Sequence, residues 1–207
     1  MASVIIRPAK HYHYTHSTST SANIPNAYDN NTSTYATIRT NAQIVFYGFD
    51  TSVLPQNVRI KNIRVFVEVL GKSEDLAIRA VHSATAGNKY TDCGDGYVNC
   101  PSSDSMYDTV IRTLSFEKAA LYWNDNIDAF RAGGFQVNLD AKQFQPSYSY
   151  VYEVYAEIEY VTTINVTVNS SPVRGGTVTG GGTYESGSTV TATATPNDGY
   201  AFSHWLV

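Results

Sequence analysis

Apolar and polar residues alternate with a period of two along much of the chain, the mark of half-buried strands. In VYEVYAEIEYV (151–161), Tyr152, Val154, Ala156, Ile158 and Tyr160 fall on one face. Glu153, Tyr155, Glu157 and Glu159 fall on the other. A slip of one residue would bury three carboxylates, so the register is well specified. NIRVFVEVL (62–70) sets Ile63, Val65, Val67 and Val69 against Asn62, Arg64 and Glu68. AQIVFYGFD (42–50), DLAIRAVHS (75–83), TVIRTLSF (109–116) and GGFQVNLD (133–140) are shorter strand candidates. Leu54-Pro55-Gln56-Asn57 and Gly94-Asp95-Gly96 read as turns between them. One segment reads as helix, WNDNIDAFRAGG (123–134): Asn124 or Asp125 caps its start and Gly133-Gly134 ends it.

Many closely spaced strands with a single helical segment predict an all-β fold, a β-sandwich with one short helix. The palette changes near Thr162-Thr163. Mixed aromatic and charged residues give way to a run made almost wholly of Thr, Ser, Gly and Val. The expected division is a sandwich over 1–162 and a small β-module over 163–207, without a long flexible linker between them. A unit of about 160 residues buries roughly 70% of its unfolded surface and can stand without disulfides or metal.

Composition narrows the function classes. Charged residues are 15% of the 207, with 16 tyrosines, and the net charge is −4. No Lys/Arg cluster offers a phosphate backbone a partner, so nucleic acid is not expected. No apolar run approaches the ~20 residues of a spanning helix, so no membrane insertion is expected. Val4–Ile6 is too short for the apolar core of a signal peptide, which predicts assembly in a cytoplasm.

The run VFYGFDTSVLPQNVRIKNIRVFVEV resembles the jelly-roll modules of phage tail, fibre and other virion surface proteins. Phe49, Asp50, Ser52, Leu54, Pro55, Ile60, Ile63 and Val65 carry that pattern. NAYDNNTSTYATI ahead of it, and WNDNIDAF with GGFQVNL and YEVYAEIEYV behind it, extend the resemblance over most of residues 20–162. The tail resembles the divergent internalin-B-type repeat of bacterial surface and phage proteins. Gly175-Gly176-Thr177-Val178, Tyr184, Gly187, Ser188, Val190, Pro196, Gly199-Tyr200, Phe202 and Trp205 carry that match. The resemblance implies that Trp205 plugs a small core and that further strands follow it, which makes the module incomplete here.

Several groups of side chains are candidates for chemistry. Asp29, Asn31 and Thr34 offer oxygen ligands to a structural calcium ion, and equally the donors and acceptors of an Asx-turn. His11 and His13 share a strand face, either as threefold metal ligands in a trimer or as edge-strand histidines. Cys93 and Cys100, with six residues between them, either close a small disulfide loop or stay free thiols. Tyr148 and Tyr150, with Tyr90, Tyr97 and Tyr107, offer aromatic contact for a glycan or protein, or pack within the fold. Glu153, Glu157 and Glu159 read as solvated surface, and no catalytic motif is present, so no enzyme activity is expected.

The jelly-roll resemblance therefore implies a bacteriophage virion protein of a tail fibre, head fibre or similar appendage. It would associate with copies of itself and other virion proteins and display modules for host-surface attachment. A secreted bacterial adhesin or carbohydrate-binding module is the alternative. An accessory, non-catalytic domain of a glycan-degrading enzyme is a second one.

Overall fold

The computed structural model describes residues 1–13, 21–39, 42–70, 76–82, 91–93, 98–99, 109–141 and 148–207. They divide into two compact units. The first comprises Met1–Leu54 and Ile60–Tyr160; the second comprises Pro55–Arg59 and Val161–Val207.

In chain order the strands begin with β1 (Ala2–Ile6), β2 (Lys10–His13), β3 (Ala36–Arg39), β4 (Gln43–Tyr47) and β5 (Val58–Leu70). There follow β6 (Leu76–His82), β7 (Thr91–Asp92), β8 (Val98–Asn99) and β9 (Thr109–Ser115). Helix α1 (Glu117–Asp125) separates these from β10 (Phe135–Ala141) and β11 (Tyr148–Val166). The chain ends with β12 (Gly176–Thr179), β13 (Gly182–Glu185) and β14 (Thr193–Pro196).

The first unit is a β-sandwich. One sheet runs β1-β11-β5-β9, with β3 on the beginning of β11. The other runs β2-β4-β10-β6, with β7 and β8 both on β6. Alternation supplies the core: Ile63, Val65, Val67 and Val69 of β5 are fully buried, as are Val154, Ala156 and Ile158 of β11. Ile44, Phe46, Val137, Leu139 and Ile78 complete the same core from the second sheet. At roughly 1.5–3 kcal/mol for each large apolar side chain, this burial is the main force holding the sheets together.

The sequence pattern located β4, β5, β6, β9, β10 and β11 but misjudged the helix. α1 starts at Glu117, and its N-cap Phe116 supplies no side-chain cap. Ala119, Ala120 and Trp123 form its buried stripe. Asn124 and Asp125 lie at the helix end, not at its start. A short turn, Ile127–Ala129, continues into the wide turn Phe130–Gly134. Gly133 there takes a left-handed φ of +82°, which glycine adopts without strain. Trp123, Phe130, Phe135 and Phe49 form one aromatic cluster, with ring separations of 5.2, 5.5 and 4.9 Å along that order. Cys93 is buried in the same core.

The outer face of the β11 strand also differs from its expected pattern. Val151, Glu153, Val154, Ala156 and Ile158 are all buried. The alternation therefore changes phase between Val151 and Val154, and Tyr152 does not share a face with Val154. Glu153 lies on the outer side with Tyr155, where Arg7 contacts both, and is covered to 2% exposure, so this carboxylate is not the solvated surface residue its spacing predicted. Glu157 and Glu159 are half-buried, and both pair with Arg64.

In the second unit, β13 pairs with residues 163–166 of β11, and β12 pairs with β14. Glycine is required in this ladder: a side chain at Gly176 would strike the Thr195 carbonyl, and one at Gly180 the Thr191 carbonyl. Val190 and Ala192, which alternate with Ala194 in sequence, lie before β14 and outside any strand. Trp205 is 41% exposed, so it does not plug a closed core. Its ring packs on Phe202 at 5.4 Å.

Candidate functional site

The expected calcium loop lies against the strand that the phase change disturbs. Within residues 29–34, Asp29 Oδ1 accepts from the Asn31 amide at 2.9 Å, and Asn31 Oδ1 accepts from the Ser33 amide at 3.1 Å. The Thr34 hydroxyl donates to Asp29 Oδ2 at 2.7 Å. These are successive Asx-turns, formed because short carboxylate and amide side chains reach backbone donors two residues ahead. Asn30 takes a left-handed φ of +59°, a conformation Asn tolerates better than most residues.

Glu153 reaches this loop from β11. Its Oε1 accepts from the same Asn31 amide at 2.9 Å. Its Oε2 is buried and makes no hydrogen bond; Arg7 Nε stands 3.7 Å away. Burial pushes the Glu153 carboxyl above the ordinary range, against Arg7 and the Asn31 amide, which pull it down, and Asp29 pushes it further up.

Both Asp29 oxygens accept hydrogen bonds within the loop, from the Asn31 amide and the Thr34 hydroxyl, and the second Glu153 oxygen faces the Arg7 guanidinium. The loop is thus described by its Asx-turns. Among the described residues no three His, Cys, Asp or Glu side chains are grouped so as to hold a metal ion.

Beside the loop lies an aromatic face. Tyr35, the residue after Thr34, is 41% exposed. Its ring meets Tyr150 at 4.7 Å and Tyr152 at 5.6 Å. Register explains the grouping: Tyr150 pairs with Thr37 and Val151 with Ala36 across β3 and β11. Buried Ala36 and Val151 occupy the inner face, so Thr37 and Tyr150 turn outward. The Asn26 side chain donates to the Tyr35 carbonyl at 3.2 Å and steadies its backbone.

Of the predicted contact tyrosines, only Tyr150 has a described side chain. Tyr90, Tyr97 and Tyr107 lie outside the described residues, and Tyr148 is described in its backbone alone. Tyr35 was missed because its neighbours in sequence are loop residues with no periodicity; only the β3–β11 pairing brings it to Tyr150. His11 and His13 sit on β2, at the edge of the second sheet. His11 Nδ1 lies 3.0 Å from the Tyr28 hydroxyl, so this histidine is engaged within the fold. Cys93 is buried, and Cys100, its candidate partner, lies outside the described residues.

The second unit carries a groove of about 330 Å³, lined among others by Pro172, Val178, Tyr200 and Trp205. No Asp, Glu, Lys or Arg lines it.

Residues 166–207 match the family model described as "Divergent InlB B-repeat domain". No curated protein matches the chain. Among solved structures, the chain is similar to a truncated AlyQ with CBM32 and alginate lyase domains. That likeness has a TM-score of 0.39 and 9% identity over 81% of this chain, which spans 36% of that one. A second, the CBM32 of AlyQ in complex with 4,5-unsaturated mannuronic acid, gives a TM-score of 0.37 and 12% identity. It covers 75% of this chain and 98% of that one. These structural likenesses are distant, and none of the three matches concerns a virion protein.

Proposed function

We propose that the first unit is a non-catalytic binding module that takes a surface glycan on the face formed by Tyr35, Tyr150 and Tyr152. The observation that carries this is the exposed Tyr35 ring packed against two further tyrosines. Aromatic faces stack on the C–H faces of sugar rings, and tyrosine adds a hydroxyl at little entropic cost. The tail's match to a divergent InlB B-repeat model favours display on a bacterial or particle surface. Copies displayed together would strengthen weak individual contacts. The carbohydrate-binding reading takes precedence over the fibre-assembly reading because the exposed tyrosine cluster suits it.

The test is retention on immobilised polysaccharides, neutral (galactan, dextran) and acidic (alginate, pectate). Retention on at least one, weakened about tenfold in Tyr35→Ala, is the expected result, equivalent to roughly 1.4 kcal/mol of lost stacking. Full retention by Tyr35→Ala and Tyr150→Ala would remove the tyrosine face from consideration.

A further inference from the structure

We infer that the groove of the second unit is a further binding site, for a neutral saccharide, with Tyr200, Phe202 and Trp205 as its stacking rings. It shares no residue with the tyrosine face and stands whether or not that face binds glycan.

The rings are carried by a tied segment. The Asn197 amide donates to the Gly175 carbonyl at 3.0 Å, and the Asn197 side chain donates to the Arg174 carbonyl at 3.0 Å. The Tyr200 amide donates back to the Asn197 carbonyl at 3.0 Å, closing a turn in which Gly199 takes a left-handed φ of +82°. These bonds fasten the segment to the residues just before β12. The Tyr200 ring lies over Gly175, where a methyl group would already touch it at 3.4 Å. Phe202 and Trp205 pack on each other with centroids 5.4 Å apart. All three rings line the groove, yet they stay 40%, 50% and 41% exposed. Rings held in place but open have little freedom left to lose when a ligand arrives.

The rest of the lining selects the ligand. Asn169, Ser171, Thr177 and Thr195 are neutral and polar, and among the described residues none of their side chains has a hydrogen-bond partner. The histidine of the lining, His204, has its Nδ1 2.8 Å from the Ser203 hydroxyl. A saccharide matches this mixture: its C–H faces stack on rings, and its hydroxyls bond amides and other hydroxyls. A uronate or a phosphate would meet no Lys or Arg in the lining to pair with its charge. The volume of about 330 Å³ falls within the range of roughly 300–1,000 Å³ that small-ligand sites occupy.

The experiment uses the full chain and reads the groove through Trp205, because Trp123, the other tryptophan, is fully buried in the first unit. Tryptophan emission is followed while gluco-, manno-, galacto- and xylo-oligosaccharides are added, with alginate and pectate oligosaccharides as the acidic probes. We expect a saturable change with at least one neutral series and at least tenfold weaker binding of both acidic ones. Tyr200→Ala and Phe202→Ala should each weaken the neutral ligand about tenfold. Asn169→Ala should weaken it several-fold; that side chain is exposed and bonds nothing in the chain, so its loss spares the fold. Tyr35→Ala should leave the titration unchanged, which separates this site from the tyrosine face. No saturable change with any neutral series overturns the inference. So does binding that Tyr200→Ala, Phe202→Ala and Asn169→Ala all leave intact, or an acidic series bound as tightly as the neutral one. Self-association of the chain that Phe202→Ala abolishes, with no response to any sugar, would give the groove to a second copy and overturn the inference as well.

Discussion

Asp29 and Glu153, far apart in sequence, share one hydrogen-bond donor: the Asn31 amide lies 2.9 Å from a carboxylate oxygen of each. The loop presents Asp29 through an Asx-turn, and the strand presents Glu153 through a break in its alternation. This pair joins β11 to the segment that carries Tyr35.

Glu68 gives a pH-dependent prediction. It lies half-buried on the outer side of β5, and burial raises its carboxyl above the ordinary value. The folded state therefore keeps a proton that the unfolded state releases. Between the ordinary and the raised value, stability falls as pH rises, and the charged form costs stability at pH 7. Glu68→Gln should raise the Tm at pH 7 and leave it nearly unchanged below about pH 4, where the carboxyl is neutral in both states. Urea melts at the two pH values check this.

The Asn124 side chain clamps the start of β5. Its Oδ1 accepts from the Ile60 amide and its Nδ2 donates to the Ile60 carbonyl, both at 2.7 Å. Ile60 lies ahead of the β9 ladder, which begins at Arg64, so that ladder offers it no substitute partner. Asn124→Ala should cost about 1–3 kcal/mol, with Asn124→Asp intermediate because it keeps the acceptor. A loss below about 0.5 kcal/mol in chemical denaturation would mean that water replaces the clamp.

The two tryptophans should separate cleanly. Trp123 is fully buried in the aromatic cluster, while Trp205 is 41% exposed. Acrylamide should quench one emitting population and spare the other, and Trp205→Phe should leave only the protected one. Replacing Trp123 by Ala should cost about 3–5 kcal/mol. Equal quenching of both populations would contradict the open placement of Trp205.

The strands of the sandwich were legible because period-two alternation is a local signal. β5 and most of β11 read directly from Ile63, Val65, Val67 and Val69, and from Val154, Ala156 and Ile158. The helix start was not legible: α1 has no side-chain cap, so Phe116 gave no mark, and the Asn124 that resembled a cap serves Ile60 instead. The loop at Asp29, Asn31 and Thr34 was visible from its residue types. The burial of Glu153 was not, because strict alternation leaves it facing solvent and only the distant loop and Arg7 cover it. Tyr35 escaped for the same kind of reason: a pairing between distant segments, β3 with β11, gives it its neighbours. The tail's repeat pattern was legible through its glycines, which the close β12–β14 backbone approach requires at Gly176, and through Pro196, Tyr200 and Trp205.

The central claim is that the first unit binds glycan through its tyrosine face. The most direct measurement compares the retention of the native chain, Tyr35→Ala and Tyr150→Ala on the neutral and acidic polysaccharide panel. The account predicts retention of the native chain on at least one polysaccharide and a loss of about tenfold or more in each variant. Retention by both folded variants equal to that of the native chain, or no retention of the native chain on any polysaccharide, would contradict it.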